Sequence, residues 1–184
     1  MSNFRKGNGA AWLDFLASRM GRYRQAQTEM LPDPEALQAW LSEQDLAPST
    51  APNEQDLSRA WKLREALHAV ARSALEKTAP SRAALVTIEQ ALADDKPLRI
   101  RPSNSGLRTA RPLTAAEALA RLARSAVSDL GGPQRADLRA CADETCAGIF
   151  IDHRGRRQWC SDQLCGNRAR VRAHRERARA KETR

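Results

Sequence analysis

The chain contains no apolar run that approaches the ~18 residues needed to cross a lipid bilayer, so we expect no membrane-spanning protein. Its first 24 residues also lack the apolar stretch of a secretory signal, and we therefore expect a cytoplasmic protein in a reducing compartment. Aromatic residues make up only 4% of a chain that is 41% hydrophobic and rich in alanine and leucine. This composition favours helices over sheets.

The first 132 residues also lack the short motifs that carry common enzyme chemistry. They contain no Gly-rich phosphate loop, no Gly-x-Ser-x-Gly turn and no His-Glu-x-x-His helix. Their only histidine, His68, falls within an apolar helical stripe, where histidine is usually a core or boundary residue. Tryptophans on apolar helix faces usually pack, with a ligand cavity between the helices as the alternative, and this region has three: Trp12, Trp40 and Trp61. We therefore expect that the protein is not an enzyme. The sequence does not identify a ligand for this region.

All four cysteines lie in the last quarter of the chain. They form two Cys-x4-Cys pairs separated by thirteen residues: Cys141 with Cys146, and Cys160 with Cys165. Paired thiolates at short spacing are typical of structural zinc sites, in which four ligands surround the ion tetrahedrally. The alternatives are disulfides, which a reducing compartment disfavours, and redox-active thiols, for which two equal pairs are more than is needed. We therefore predict one structural Zn2+ held by four cysteines, with no position left open for catalysis.

The segment between the cysteine pairs, residues 147–159, has an apolar β-branched run, a polar turn with glycine, and then a tryptophan. This pattern predicts a short β-hairpin. Ser161 can cap a helix that carries Cys165 towards the metal and continues to residue 181. Within it, Asn167 can hydrogen-bond the metal loops, and Arg168 can either lock the hairpin or reach a phosphate. Metal loop, hairpin and ligand-bearing helix together predict a treble-clef-like module.

Four other side chains near the cysteines have two interpretations each. Phe150 and Trp159 are expected to pack under the metal loops rather than to stack on bases. His153 lies in the predicted hairpin turn, and His174 lies about 13 Å beyond Cys165 along a helix that rises 1.5 Å per residue. Both histidines are interpreted as surface or phosphate-contacting residues rather than as metal ligands.

Residues 141–174 resemble the CGNR zinc finger, which is named for the run found here as Cys-Gly-Asn-Arg at 165–168. In that family the finger follows a domain called ABATE, and the pair is assigned to stress-induced transcription regulation in bacteria. Residues 12–18 resemble the opening motif of the ABATE domain, with Leu-Ala-Ser in place of its Val-Asn-Thr, and residues 30–37 resemble a second landmark. The resemblance implies a zinc cofactor and a role in transcription.

The formal net charge of +9 is unevenly distributed. Residues 154–184 carry eleven lysines and arginines against three acids, whereas the other 153 residues carry 20 against 19. An almost neutral body with a basic helical end is typical of a module that binds a polyanion, with a solvated basic tail as the alternative.

Arginines with spacings of four, three and four residues line one face of the predicted helix: Arg168, Arg172, Arg175 and Arg179. Like charges at i,i+4 destabilise a helix, and a bound polyanion would relieve that repulsion. Arginine also grips phosphates with two hydrogen bonds and reads guanine edges. The predicted nucleic-acid contacts are Arg156, Arg157, Arg168, Arg170, Arg172, Arg175, Arg177 and Arg179.

Caps and periodicity predict the elements of the body. Helices are predicted over residues 10–20, 34–42, 54–77 and 83–93, with a further one that begins after Thr114 and ends at the Gly-Gly-Pro run of 131–133. Residues 97–111 alternate apolar and basic side chains on both sides of a turn at 103–106, which predicts a β-hairpin.

The sequence as a whole predicts a mainly α protein with a minor β-hairpin. It comprises an ABATE-like helical domain over residues 1–132 and a CGNR-type, treble-clef-like zinc finger over residues 133–184. The function that fits best is a bacterial DNA-binding transcription regulator. The alternatives are a zinc-stabilised module that binds an acidic protein, and an RNA-binding protein. A homodimer, which would place two basic helices on one ligand, is a further expectation.

Overall fold

A computed structural model of the chain describes residues 4–104 and 106–182, the last two by their backbone only. Ser105 of the predicted turn and the outermost residues of both predicted domains lie outside this part. The described helices are α1 Ala11–Leu16, α2 Pro34–Glu43, α3 Glu54–Glu76, α4 Arg82–Leu92, α5 Ala115–Gly131 and α6 Asn167–Glu182. The described strands form three separate antiparallel pairs: β1 Arg19–Met20 with β2 Thr28–Glu29, β3 Ile100–Ser103 with β4 Gly106–Thr109, and β5 Leu138–Ala140 with β6 Ile149–Ile151. The predicted mainly α fold is confirmed.

Helices α3 and α5 begin at side-chain caps. Asn53 and Asp56 cap α3 reciprocally, each side chain accepting a backbone N–H from the other residue. At α5, the Thr114 hydroxyl accepts the N–H of Glu117 at 3.2 Å. Thr114 and Glu117 have the spacing of a capping box, but the Glu117 carboxylate accepts the N–H of Leu113 at 2.8 Å and not that of Thr114. Local hydrogen bonds therefore define these helix starts.

The core lies around α1, which packs against α3 and α5. Trp12 and Trp40 are fully buried, as predicted for packing residues, and the ring centroid of Trp40 lies 5.2 Å from that of Phe15. Trp61 differs, because it stays 36% exposed. Its indole N–H donates a hydrogen bond to the carbonyl of Leu31 at 3.0 Å.

Helix α1 is shorter than predicted and ends at Leu16 rather than near residue 20. The Ser18 hydroxyl donates to the carbonyl of Phe15, and the carbonyl of Ser18 accepts the N–H of Met30. These bonds turn the chain out of the helix and into the β1–β2 pair. A helical apolar pattern alone does not reveal this competing side-chain hydrogen bond.

The last quarter of the chain shares the core of the helical body. Leu138, Ile149 and Ile151 are buried in the same apolar cluster as Trp12. The N–H of Ile151 donates to the carbonyl of Asn8 at 2.8 Å, so the N-terminal segment runs alongside β6. The metal-binding region is therefore packed against the body and is not joined to it by a loose tether.

The predicted hairpin within residues 147–159 does not form, because β6 pairs with β5, which precedes Cys141. All three residues of β6 are buried, so the strand needs cover on both faces. The polar turn after it is closed by Asp152, whose carboxylate accepts the N–H groups of Arg154 and Arg157. None of the described helices is long and apolar enough to cross a membrane.

Candidate metal centre and the helix that extends from it

The first cysteine pair lies on a tight loop after β5. The N–H of Cys141 donates to the carbonyl of Gly148, and the N–H of Cys146 donates to the carbonyl of Asp143, both at 2.8 Å. Ala147 then adopts a left-handed backbone conformation with φ of 51°. Together these features turn the two sulfur atoms towards the same point.

The second pair lies where the chain enters α6. The Ser161 hydroxyl accepts the N–H of Leu164 at 3.2 Å, which confirms the predicted cap. One wide turn, Asp162–Gly166, precedes the regular helix and contains Cys165, whose side chain is fully buried. The helix therefore begins at the metal site itself.

The four sulfur atoms converge on one position and lie within 4.8 Å of one another: Cys141, Cys146, Cys160 and Cys165. The Sγ–Sγ distances are 3.4 Å for Cys146–Cys160, 3.6 Å for Cys160–Cys165 and 3.4 Å for Cys146–Cys165. A disulfide would bring two sulfurs to about 2.05 Å. A tetrahedron of Zn–S bonds of about 2.3 Å has edges of about 3.8 Å, close to the distances here. The four cysteines are thus positioned to hold one metal ion, and the donor set suits a structural Zn2+, as predicted.

Gly148 is required by the closeness of the sulfur atoms. A Cβ atom at this position would lie 2.7 Å from Sγ of Cys160 and 3.2 Å from Sγ of Cys146. No side chain fits there without moving a metal ligand. Gly166, of the Cys-Gly-Asn-Arg run, is less confined: a Cβ would lie 2.6 Å from Oδ1 of Asp162, whose exposed side chain can move, and 3.2 Å from the ring of Trp159.

Arg168 links the metal ligands to a buried carboxylate. Its Nη2 donates to Sγ of Cys165 at 3.0 Å, and its Nε and Nη2 donate to Oδ2 of Asp143 at 2.9 and 2.7 Å. Asp143 is 1% exposed and also accepts from the backbone and hydroxyl of Thr145. Burial acts to raise the pKa of Asp143, but the hydrogen bonds from Arg168 and Thr145 outweigh it and lower the pKa. Arg168 thereby locks the metal loops and not the hairpin that the sequence suggested, and its phosphate contact stays a prediction.

Arg5 is a second arginine at the thiolates, and sequence reasoning missed it. Its Nη2 donates to Sγ of Cys160 at 3.2 Å and to Sγ of Cys165 at 3.8 Å. Burial acts to lower the pKa of Arg5, but the negative charge of Cys160 and the hydrogen bond to Cys165 outweigh it and raise the pKa. Zn2+ with four thiolates carries a net charge of minus two, which Arg5 and Arg168 partly offset. Arg5 lies 155 residues from Cys160, and no local pattern connects the two.

Replacing Arg5 with methionine is expected to weaken zinc binding by about ten- to a hundredfold, because outer partners of metal ligands typically contribute that much. The measurement is zinc transfer from the full chain to a chromophoric chelator, together with the rate at which the thiols are alkylated. Arg5→Lys should retain part of the affinity, because it keeps the charge. Lys6→Met serves as the matched control, because Lys6 pairs with Glu43 instead. Equal zinc affinity in Arg5→Met and the unmodified chain would refute this role.

His68 joins the body to the first metal loop. Its Nε2 lies 3.2 Å from the carbonyl oxygen of Ala147, so this nitrogen carries the proton and donates it. Burial lowers the pKa of His68 to about 4, and the charge of Arg22 acts in the same direction. The ring is therefore neutral at physiological pH, which agrees with its interpretation as a boundary residue.

Arg157, a predicted nucleic-acid contact, is occupied within the protein. Its guanidinium stacks over the ring of Phe150 at 4.4 Å and donates to the backbone carbonyls of Gly7, Trp159 and Cys160. Phe150 is fully buried and packs with the metal ligands, as expected. This arginine therefore holds the N-terminal segment against the metal site.

The remaining side chains of the region lie on the surface. His153 contacts the carboxylate of Asp137 at 2.7 Å, and His174 is exposed on α6, so neither lies among the metal ligands. Arg156 is exposed in the turn after β6.

An open cleft of about 560 Å3 on the body is lined in part by Trp61 and Arg64. Arg64 is already paired there with Glu29.

Helix α6 extends away from the metal site with its described side chains uncovered. Every residue from 170 to 180 is exposed. One shallow surface is lined by Arg168, Arg172, Arg175 and Arg179 together with Asn167, Val171 and Glu176, which places the predicted stripe on one face. Arg170 pairs with Asp162 at 3.1 Å, and Arg177 donates to the carbonyl of Ala173 in its own helix. Arg172 also approaches Asp143 at 3.9 Å.

Comparison with known families gave two matches that together span most of the chain. The model described as "ABATE: Putative stress-induced transcription regulator" matches residues 9–133. The model described as "CGNR zinc finger" matches residues 138–178, which contain all four cysteines. No curated protein matches the chain.

Proposed function

From the chain's membership of the ABATE family of stress-induced transcription regulators, with a CGNR zinc finger at its C-terminal end, we propose that it is a bacterial regulator that binds DNA through α6. The proposal places it in the cytoplasm, where thiolate ligands stay reduced. The observation that carries it is the exposed arginine face of a helix whose first turn is held by the metal ligands.

The geometry of α6 suits a groove of duplex DNA. The helix is 16 residues long, which corresponds to about 24 Å at 1.5 Å per residue. The major groove is wide enough to admit such a helix. Its base is held by Cys165 and by the bonds of Arg168 to Asp143, so the exposed part extends from a defined point. This anchoring lowers the entropy that the helix loses when it binds.

The arginines divide into anchoring and contacting groups under this proposal. Arg157 and Arg168 are engaged inside the protein, so they position the helix and the N-terminal segment. Exposed arginines on the common face make the main phosphate and base contacts: Arg172, Arg175 and Arg179. The other exposed arginines are left for flanking phosphates: Arg156, Arg170 and Arg177. The metal site and the body then orient α6, and the exposed arginines of α6 supply the positive charge that binds DNA.

An acidic protein partner is the second candidate, and RNA is a lesser one. Val171 on the arginine face is 43% exposed, and Leu164 in the turn before α6 is 45% exposed; exposed apolar side chains would favour a protein surface. We further propose that the metal is structural, that the chain has no catalytic centre, and that the body serves sensing or association, including a homodimer. A monomer in light scattering at micromolar concentration would argue against the dimer.

A titration of the zinc-loaded chain with labelled duplex DNA, duplex RNA and polyglutamate tests the proposal. If DNA is the partner, log affinity falls linearly with log salt between about 50 and 200 mM, because bound phosphates release their counterions. DNA should also bind more tightly than polyglutamate at every salt concentration. Binding that is absent at low salt refutes a nucleic-acid role. Polyglutamate that matches or exceeds DNA favours the acidic protein partner instead.

A further inference from the structure

The β3–β4 pair is a two-stranded ribbon that stands apart from the core. Its register pairs Ile100 with Thr109, Arg101 with Arg108 and Pro102 with Leu107. Every described residue of the two strands is exposed except Ser103, which is half-buried. An isolated two-stranded ribbon is marginally stable in water, so its exposure on both faces suggests a role outside the core.

The two faces of the ribbon have different chemistry. Residues directly opposite each other share a face, and the faces alternate along each strand. One face therefore carries Ile100, Pro102 and Leu107, and the exposed fractions of Ile100 and Leu107 are 64% and 77%. The other face carries Arg101 and Arg108. Exposed apolar side chains of this size, next to charged ones, are typical of a contact surface.

The ribbon segment is strongly basic within an almost neutral body. Residues 96–113 contain five basic residues and no acid: Lys96, Arg99, Arg101, Arg108 and Arg111. The nearest acids in sequence are already paired, Asp95 with Arg124 at 2.9 Å and Glu117 with Arg121 at 2.7 Å. Glu117 also interacts with Arg99, and Asp45 of the body lines a cleft with Arg101 and Arg108, so these single carboxylates offset only part of the ribbon's five positive charges.

Arg101 and Arg108 face each other across the ribbon, and like charges in that position destabilise a strand pair. This repulsion lowers the stability of a strand pair whose side chains are mostly exposed and gain little from burial. A polyanion lying on this face would remove the repulsion, as it would for the arginine face of α6. The charge and the apolar face together fit duplex DNA, because a two-stranded ribbon can enter the major groove and the paired arginines can reach phosphates.

We propose that the β3–β4 ribbon is a second DNA contact of this protein, with Arg101 and Arg108 as its phosphate-binding residues. The inference rests on the proposed function, since it assigns a further surface to the same ligand. It goes beyond that function because it places a contact in the ABATE domain rather than in the zinc finger. The protein would then hold DNA at two separate points, which raises affinity by multivalency.

The test is the salt dependence of duplex binding by the full, zinc-loaded chain carrying Arg101→Ala and Arg108→Ala. Each lost phosphate contact reduces the slope of log affinity against log salt by about one, so the slope should fall by about two. The melting temperature should stay equal or rise, because the substitution removes a repulsive pair. Zinc content should not change, because no described residue of the ribbon is among the contacts of the thiolates.

A matched control separates a specific contact from bulk charge. Arg59→Ala with Lys62→Ala removes the same charge from exposed positions on α3. An equal slope in the ribbon variant and the unmodified chain, or an equal fall in the α3 control, overturns the ribbon proposal alone. A loss that occurs only with polyglutamate overturns it in favour of an acidic protein. Failure of the unmodified chain to bind DNA overturns both the ribbon and the proposed function.

Discussion

Replacing Cys165 with serine is expected to abolish zinc binding and to unfold the chain from β5 onward. Cys165 is fully buried, and its sulfur lies 3.4 and 3.6 Å from two other ligand sulfurs. Apart from the β5 and β6 side chains that join the body core, the described part of this region has only a small cluster of Phe150, Trp159 and the cysteines, and structural zinc supplies about 10–16 kcal/mol of folding free energy in isolated fingers. Metal analysis should show the zinc content falling from about one per chain to near zero.

The helical body is expected to lose stability in the same variant but to keep its helices. Leu138, Ile149 and Ile151 belong to the core of the body, and their loss uncovers apolar surface around Trp12. Circular dichroism should therefore show retained helix with a lower melting temperature. Gln163→Ala, an exposed neighbour of the ligand, is the control and should leave both zinc and melting temperature unchanged. A Cys165→Ser chain that retains its zinc would contradict this account of the site.

Replacing both Arg172 and Arg175 with alanine should weaken DNA binding strongly while the fold and the zinc content stay unchanged. Both side chains are exposed on the same surface of α6, and neither contacts a ligand sulfur within the described contacts. The slope of log affinity against log salt should fall by about one to two, because each arginine neutralises about one phosphate. The measurement is a fluorescence titration with one duplex at several salt concentrations.

Arg170→Ala with Arg177→Ala is the matched control for this prediction. It removes the same charge from α6, but at 100° per residue these positions lie on the opposite face from Arg172 and Arg175. The control should therefore reduce the slope less. Equal effects in the two variants would show that diffuse charge, and not one helix face, binds the ligand. No effect in either variant would move the contact away from α6.

Much of the fold could be predicted because its signals are local. The caps Asn53 and Thr114 are set by hydrogen bonds within four residues, and the ribbon was indicated by alternation around a turn. The four metal ligands were found for the same reason, since their pairing repeats at a short spacing. Helix caps and paired thiols can be recognised from the sequence because the residues that interact are only a few positions apart.

The features that the sequence did not reveal depend on contacts between distant residues. Arg5 reaches Cys160 across 155 positions, and His68 reaches Ala147 across 79. The pairing of β6 with β5 instead of a downstream segment depends on the buried core that both strands join. An apolar run shows that a strand will be buried but not which neighbour covers it.

Arg168 illustrates the same limit at the functional site. Its position on the helix face suggested a phosphate contact, and nothing in the sequence indicated that its guanidinium also donates to Asp143 and Cys165. The residue thereby connects the metal centre to the base of α6. Under the proposed function, this bond transmits the rigidity of the zinc site to the arginines that follow it.

Hydrogen–deuterium exchange of the zinc-loaded chain, with and without duplex DNA, tests the central claim most directly. DNA on the arginine face would relieve the repulsion between like charges and stabilise the exposed helix. We predict that amides in residues 170–180 gain protection on binding, while those of α1 and α2 in the body stay unchanged. Protection confined to the body, or unchanged exchange in α6 at saturating DNA, would contradict the claim that α6 binds DNA.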